Sequence, residues 1–110
     1  MIVLLSGCTA SHQEITSATL VGTYVFRSDA PQYTPEYRIG ERLTLHADGT
    51  YVLESGEGNE TIVKSGRWVF RDGDPPTVDL DHSGYPIELR SKGVRLIVND
   101  DVDARYEKTK

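Results

Sequence analysis

The chain has 110 residues, 37% of them hydrophobic, and its 17 acidic against 12 basic side chains leave a net charge of −5. That size suits one domain with a modest core. The acidic balance argues against nucleic acid, which is held chiefly by phosphate neutralisation, and against adsorption to anionic lipid through a basic patch; no apolar stretch reaches the roughly 20 residues of a membrane-spanning helix.

The chain opens Met1-Ile-Val-Leu-Leu-Ser-Gly-Cys8, a short apolar run ending in Leu5-Ser6-Gly7-Cys8. That order resembles the lipobox of bacterial lipoproteins, in which the Cys is diacylated and becomes the mature N-terminus. The resemblance implies a signal-peptide remnant over 1–7, a lipidated tether over 8–19 carrying polar Ser11-His-Gln-Glu14, and a folded domain over 20–110. Cys8 is the only Cys, so it forms no intramolecular disulfide and builds no Cys-based metal site, whereas palmitate-type acylation gives it a use. Buried acyl methylenes contribute about 0.8 kcal/mol each, and two or more chains hold a protein stably at a bilayer. Thr9 stands where an inner-membrane retention signal would carry Asp, which by the same resemblance implies the periplasm-facing leaflet of the outer membrane. From the residues alone the alternative is an apolar starting strand with Cys8 as an ordinary buried side chain.

From Leu20 onward, short alternating runs are separated by Gly, Asp, Asn and Pro, and helical periodicity is absent. The pattern predicts strands over 20–26, 41–46, 50–55, 61–70, 77–82, 85–91, 94–98 and 104–108. At His46-Ala-Asp-Gly-Thr50, a type I turn with Gly49 left-handed pairs His46 with Thr50. Leu45 then faces Tyr51, Leu43 faces Leu53, and Arg42 opposes Glu54, which separates apolar from polar faces. Upstream of the next turn, Phe70 pairs with Val78 and Trp68 with Leu80. Two-residue turns at Ser83-Gly84 and Lys92-Gly93 would set Leu80 opposite Ile87, Val78 opposite Leu89, Leu89 opposite Leu96 and Ile87 opposite Val98. Beyond them Leu96 meets Tyr106 and Val98 meets Ala104.

One inward face results: Tyr24, Phe26, Leu43, Leu45, Tyr51, Leu53, Trp68, Phe70, Val78, Leu80, Ile87, Leu89, Leu96, Val98 and Tyr106. Eight consecutive strands joined mostly by tight turns form a meander, and closing the first on the last removes both edges. The expected fold is all-β, a small eight-stranded antiparallel up-and-down barrel. Such a barrel is either filled by its side chains or holds one small ligand, and the many large inward residues favour filling.

Gly22-Thr23-Tyr24, Leu43-Thr44-Leu45 leading to Asp48-Gly49-Thr50-Tyr51, and Gly66-Arg67-Trp68 together resemble the N-terminal domain of the copper-resistance and envelope-stress lipoproteins, and more loosely other lipocalin-like envelope barrels. The resemblance covers about residues 20–108 and implies fold and compartment. The Cys-x-x-Cys pair of that family is missing, which removes the basis for copper handling.

His12, His46 and His82 are scattered, and His82 with Asp81 and Asp79 offers only a fragment of a metal site; no metal or cofactor is expected. No nucleophile motif and no evident pair of carboxylates in a cleft points to an enzyme. On the outer face the predicted register sets Arg90 opposite Arg95 and Asp79 opposite Glu88, like-charge pairs that are destabilising unless neighbours such as Glu107, opposite Arg95, offset them. The patch is either a balanced charge ladder or a surface at which Arg90 and Arg95 clamp a charged partner. The long connection from Arg27 to Gly40 is stiffened by Pro31 and Pro35, and its Tyr33 and Tyr37 either cover the barrel mouth or contact a partner. The expected function is a monomeric, non-enzymatic binding or accessory module, anchored to the membrane through Cys8 and engaging an envelope protein. The alternatives are an inhibitor or immunity lipoprotein that blocks an envelope-targeting enzyme, and a carrier of a small apolar ligand.

Overall fold

The structure is a computed structural model and describes residues 15–55, 62–91 and 93–109. Cys8, the signal remnant and most of the tether lie outside the described residues. Eight antiparallel strands follow one another: β1 (Gly22–Arg27), β2 (Arg42–Leu45), β3 (Thr50–Glu54), β4 (Ile62–Arg71), β5 (Thr77–Leu80), β6 (Ser83–Arg90), β7 (Gly93–Asn99) and β8 (Ala104–Lys108). Each pairs with its neighbours in sequence, and β1 pairs with β8, so the sheet closes into the expected barrel. Closure gives every strand a paired neighbour on both sides.

The strands form where apolar side chains alternate with polar ones. Tyr24 and Phe26 of β1, Leu43 and Leu45 of β2, and Ala104 and Tyr106 of β8 are buried, while their neighbours face outward. Burying each of the larger ones stabilises the fold by roughly 1.5–3 kcal/mol. The β2–β3 turn has the expected form. His46 N–H donates to Thr50 O at 2.8 Å, Gly49 adopts φ 90°, and the Asp48 carboxylate accepts from both the amide (3.0 Å) and the hydroxyl (2.6 Å) of Thr50. Leu45 faces Tyr51, Leu43 faces Leu53 and Arg42 faces Glu54.

The β5–β6 hairpin corrects the sequence reading. Its turn is Asp81-His82 and not Ser83-Gly84, so Leu80 pairs with Ser83 and Val78 with Tyr85. Both turn residues are left-handed, Asp81 at φ 45° and His82 at φ 82°, the backbone of a two-residue hairpin turn. Non-glycine residues there cost roughly 1–2 kcal/mol apiece. The offset is local. Asp81 Oδ2 accepts from Tyr51 Oη at 3.0 Å, and its Oδ1 from Arg67 N–H at 3.4 Å. Gly66 leaves room for this carboxylate, since a Cβ there would stand 1.8 Å from Asp81 Oδ2 and 2.9 Å from Tyr51 Cε1.

The β6–β7 hairpin is likewise reset, with Arg90 opposite Gly93, Leu89 opposite Val94 and Ile87 opposite Leu96. A bulge between Ile97 and Asn99 sets Asn99, in place of Val98, opposite Ala104. The two hairpin corrections move partners by even numbers of residues. Side chains alternate with period 2, so the inward set survives, with Tyr85 and Val94 added to it. The expected like-charge pairs vanish: Asp79 faces Gly84, and Glu88 faces Arg95.

Both ends are covered. A single helical turn, α1 (Ser17–Leu20), is capped by Thr16, whose hydroxyl accepts from Thr19 N–H at 3.2 Å. It seals the end at which β1 begins: Leu20 is fully buried, and its carbonyl accepts from Tyr24 Oη at 2.6 Å. At the opposite end the β1–β2 loop folds over the mouth. Between them the inward side chains form one core, and a pocket lined by Leu43, Tyr51, Leu53, Lys64, Leu80, Ser83, Tyr85 and Tyr106 measures about 50 Å³.

Candidate functional site: the loop rim and an arginine-lined groove

The loop between β1 and β2 divides the two tyrosines singled out in the sequence. Tyr37 turns inward. Its ring stacks on Phe26 at 5.2 Å, meets Tyr106 edge-on at 6.1 Å, and its hydroxyl lies 3.0 Å from that of Tyr85. It is a lid side chain and not a free recognition group. Tyr33 ends a 3-10 turn (Pro31–Tyr33) and is 68% exposed, and Ile39 is 46% exposed. Asp29 N–H and Ser28 Oγ both donate to Val102 O, at 3.0 and 3.3 Å, and Gly40 N–H donates to Phe26 O at 3.0 Å, so the loop is tied to the barrel at both of its feet.

Beneath the loop lies Glu41, buried to 6% exposure, which the sequence reading passed over. Tyr106 Oη donates to its Oε2, and the Arg38 amide donates to its Oε1 at 2.8 Å. The carboxylate ties the loop to β8, the strand on the other side of β1. Glu41 falls within the predicted strand 41–46 and shares the parity of inward Leu43 and Leu45, so the alternation carried a signal for its burial that its charge obscured.

Arg90 and Arg95 do come together. With Ser91, Gly93, Val94, Glu107 and Lys108 they line a groove of about 480 Å³ between the β6–β7 turn and the end of β8. Arg90 Nε pairs with Glu88 at 2.9 Å. Arg95 reaches Glu107 through Nη2 at 2.9 Å and Asp103 through Nη1 at 3.8 Å. Closure of the barrel adds two arginines that the sequence reading missed. Arg27 and Arg105 stand directly opposite across the β1–β8 seam, a repulsive arrangement on its own. Glu107 bridges it, 3.2 Å from Arg27 Nε and 3.4 Å from Arg105 Nε. Arg105 Nη1 also meets Asp103 at 3.1 Å.

This cluster is not a fully solvated ladder, since the Arg95 and Arg105 side chains are only 19% and 13% exposed. Burial by itself would push the Glu107 carboxyl up; attraction from Arg105, Arg95 and Arg27 and the hydrogen bond from Arg105 outweigh it and hold the group below the ordinary carboxylate range. A carboxyl depressed by folding contributes stability above its unfolded pKa and loses it as pH falls through the folded one. Glu107→Gln is therefore expected to lower stability at neutral pH by about 1–2 kcal/mol. The difference from wild type should shrink on acidification below about pH 4. Urea unfolding at both pH values measures it, and an unchanged gap in acid would refute the assignment.

In the fragment His82, Asp81 and Asp79, the Asp81 carboxylate accepts from Tyr51 Oη and the Arg67 amide, and Asp79 Oδ2 pairs with Arg71 Nε at 3.0 Å. Among the described residues no group of three or more His, Cys, Asp or Glu is placed to hold a metal ion. Comparison with protein-family models, curated proteins and solved structures finds no match for this chain.

Proposed function

We propose that the chain is a lipid-anchored, non-enzymatic binding module of the bacterial envelope, held at the periplasm-facing outer membrane by acylated Cys8 and contacting an envelope protein through the Arg27–Gly40 loop. The observation that carries this reading is the pairing of a filled barrel with an exposed aromatic tip. Large buried side chains from the inward faces form one core, and the pocket among Leu43, Tyr51, Leu80 and Tyr106 holds about 50 Å³, below the roughly 300 Å³ at which small-ligand sites begin, which supports binding on the outside. The exposed apolar side chains Tyr33 and Ile39 sit on the loop that follows β1, whereas the amino-terminal segment joins the barrel before β1. At about 3.3 Å per residue, that strand sets them well apart, so an anchor at Cys8 would present the loop away from the bilayer.

A second reading, an inhibitor that inserts this loop into an envelope-targeting enzyme, draws on the same core and on Pro31 and Pro35, which are exposed and fix φ at two points of the loop, Pro31 within the 3-10 turn and Pro35 beyond it. Metabolic labelling with a palmitate analogue tests the anchor: the full-length gene product should be marked and Cys8→Ser should not, and equal labelling would refute it. For the loop, Tyr33→Ala is the informative variant because Tyr33 is exposed and Tyr37 packs in the core. Its stability should stay within about 0.5 kcal/mol of wild type, while its specific partner is lost from pull-downs of envelope extract. Retention of every partner would sink the loop as the contact surface.

A further inference from the structure

The groove at the end of β6, β7 and β8 has a charge pattern opposite to that of the chain. In a protein of net charge −5, this sector gathers, among the described residues, five cations, Arg27, Arg90, Arg95, Arg105 and Lys108, near four carboxylates, Glu88, Asp100, Asp103 and Glu107. Glu107, the one carboxylate lining the groove, is shared among three guanidinium groups. It neutralises neither Arg90 nor Lys108. Arg90 engages Glu88 through Nε, and Lys108 Nζ donates to Thr19 O at 2.8 Å, one of the three donors an ammonium carries. Gly93 adds access: apart from its chain neighbours, nothing described lies within 4 Å of where its Cβ would stand, so a ligand can approach the backbone closely. The volume of about 480 Å³ falls within the size range of small-ligand sites.

From this geometry we infer that the groove binds a phosphate-type oxyanion, supplied as free phosphate or as the phosphate of a lipid headgroup. Arg90 and Lys108 contact it, and Arg95, already fixed by Glu107 and Asp103, adds its charge from behind. Arg forks match the oxygens of such an anion, and Lys serves as a compact point charge. The excess of positive charge is local, so the acidic balance of the chain does not oppose it. The contact between Lys108 and Thr19 puts the groove at the barrel end where the amino-terminal segment joins. The headgroup source rests on the proposed anchor at Cys8, which would turn this end toward the bilayer; the oxyanion chemistry does not.

The test uses the full chain as Cys8→Ser, so that acylation plays no part. Titration with inorganic phosphate, followed by amide NMR, should give saturable shifts at Gly93, Val94 and Lys108, with affinity about tenfold weaker in Arg90→Gln and in Lys108→Gln. Arg90 is exposed, so its variant keeps the test valid if Lys108→Gln loosens α1. Co-sedimentation with vesicles of equal parts phosphatidylglycerol and phosphatidylcholine, but not with phosphatidylcholine alone, and its loss in Arg90→Gln, identifies a lipid headgroup. Phosphate shifts without vesicle binding identify a soluble phosphate. Absence of saturable shifts, equal shifts with acetate, or shifts indifferent to both substitutions would overturn the inference. Failure of palmitate labelling alongside intact phosphate shifts would remove the anchor and leave the groove standing.

Discussion

Raising the pH above about 10 is expected to unfold this barrel cooperatively. Burial is the main cause for four phenols. It pushes Tyr24 up; with the hydrogen bond to Asp81 it takes Tyr51 to about 12; and it raises Tyr85, helped by Tyr37, and Tyr106, helped by Glu41. A group whose folded pKa lies above its unfolded one contributes stability that is full below the unfolded value and is lost as pH rises toward the folded one. Between pH 10 and 12 the unfolded chain releases protons that the folded barrel retains, at about 1.4 kcal/mol per phenol per pH unit. Four phenols together reach about 5 kcal/mol per unit, against a total stability of about 5–15 kcal/mol for a domain of this kind. In Tyr33→Phe, which removes the exposed phenol, near-ultraviolet circular dichroism and phenolate absorbance should therefore change together in one steep transition. A gradual rise in absorbance with tertiary structure intact would show that these tyrosines are open to solvent.

Gly66→Ala is expected to destabilise the fold by about 2–4 kcal/mol, a large effect for one methyl group. The new Cβ would collide with the Asp81 carboxylate and press on the Tyr51 ring, which is 2% exposed and cannot retreat into solvent. Expelling Asp81 would strip Tyr51 Oη and Arg67 N–H of their acceptor and leave the left-handed Asp81-His82 turn without its tether. The pair Gly66→Ala with Asp81→Gly isolates the cause. Glycine removes the colliding carboxylate and suits φ 45°, so the double variant should be more stable than the sum of the two single changes, by about 1 kcal/mol or more. Strict additivity in urea unfolding would show that the two residues do not meet.

The strand pattern was legible in the sequence because barrel strands alternate with period 2 and their turns carry Gly, Asp and Asn. All eight strands lie where the alternation places them, within three residues at each end, and the His46–Thr50 turn has the expected register. The two hairpins that were set wrongly show the limit of turn chemistry. Ser83-Gly84 is the more ordinary turn pair, yet the chain turns at Asp81-His82, because Tyr51 and Arg67 hold the Asp81 carboxylate from neighbouring strands. A preference at one dipeptide yields to contacts made across the sheet.

The candidate surfaces were legible only in part. Tyr33 and Tyr37 look alike in the sequence, and packing against Phe26, Tyr85 and Tyr106 separates them. Arg95 was matched to Glu107 from strand order, whereas Arg27 and Arg105 entered the cluster because the first strand closes on the last. The sequence by itself determined which residues form strands and which side of each faces inward, since that depends on parity, which survives a register shift of two or four residues. The tertiary structure decided which side chains meet across the barrel: Arg27 joining Arg95 at Glu107, the Asp81 turn and the Tyr37 lid. Those contacts join residues far apart in the chain, and their positions follow from how the strands stagger on closure, a geometry that local spacing does not encode.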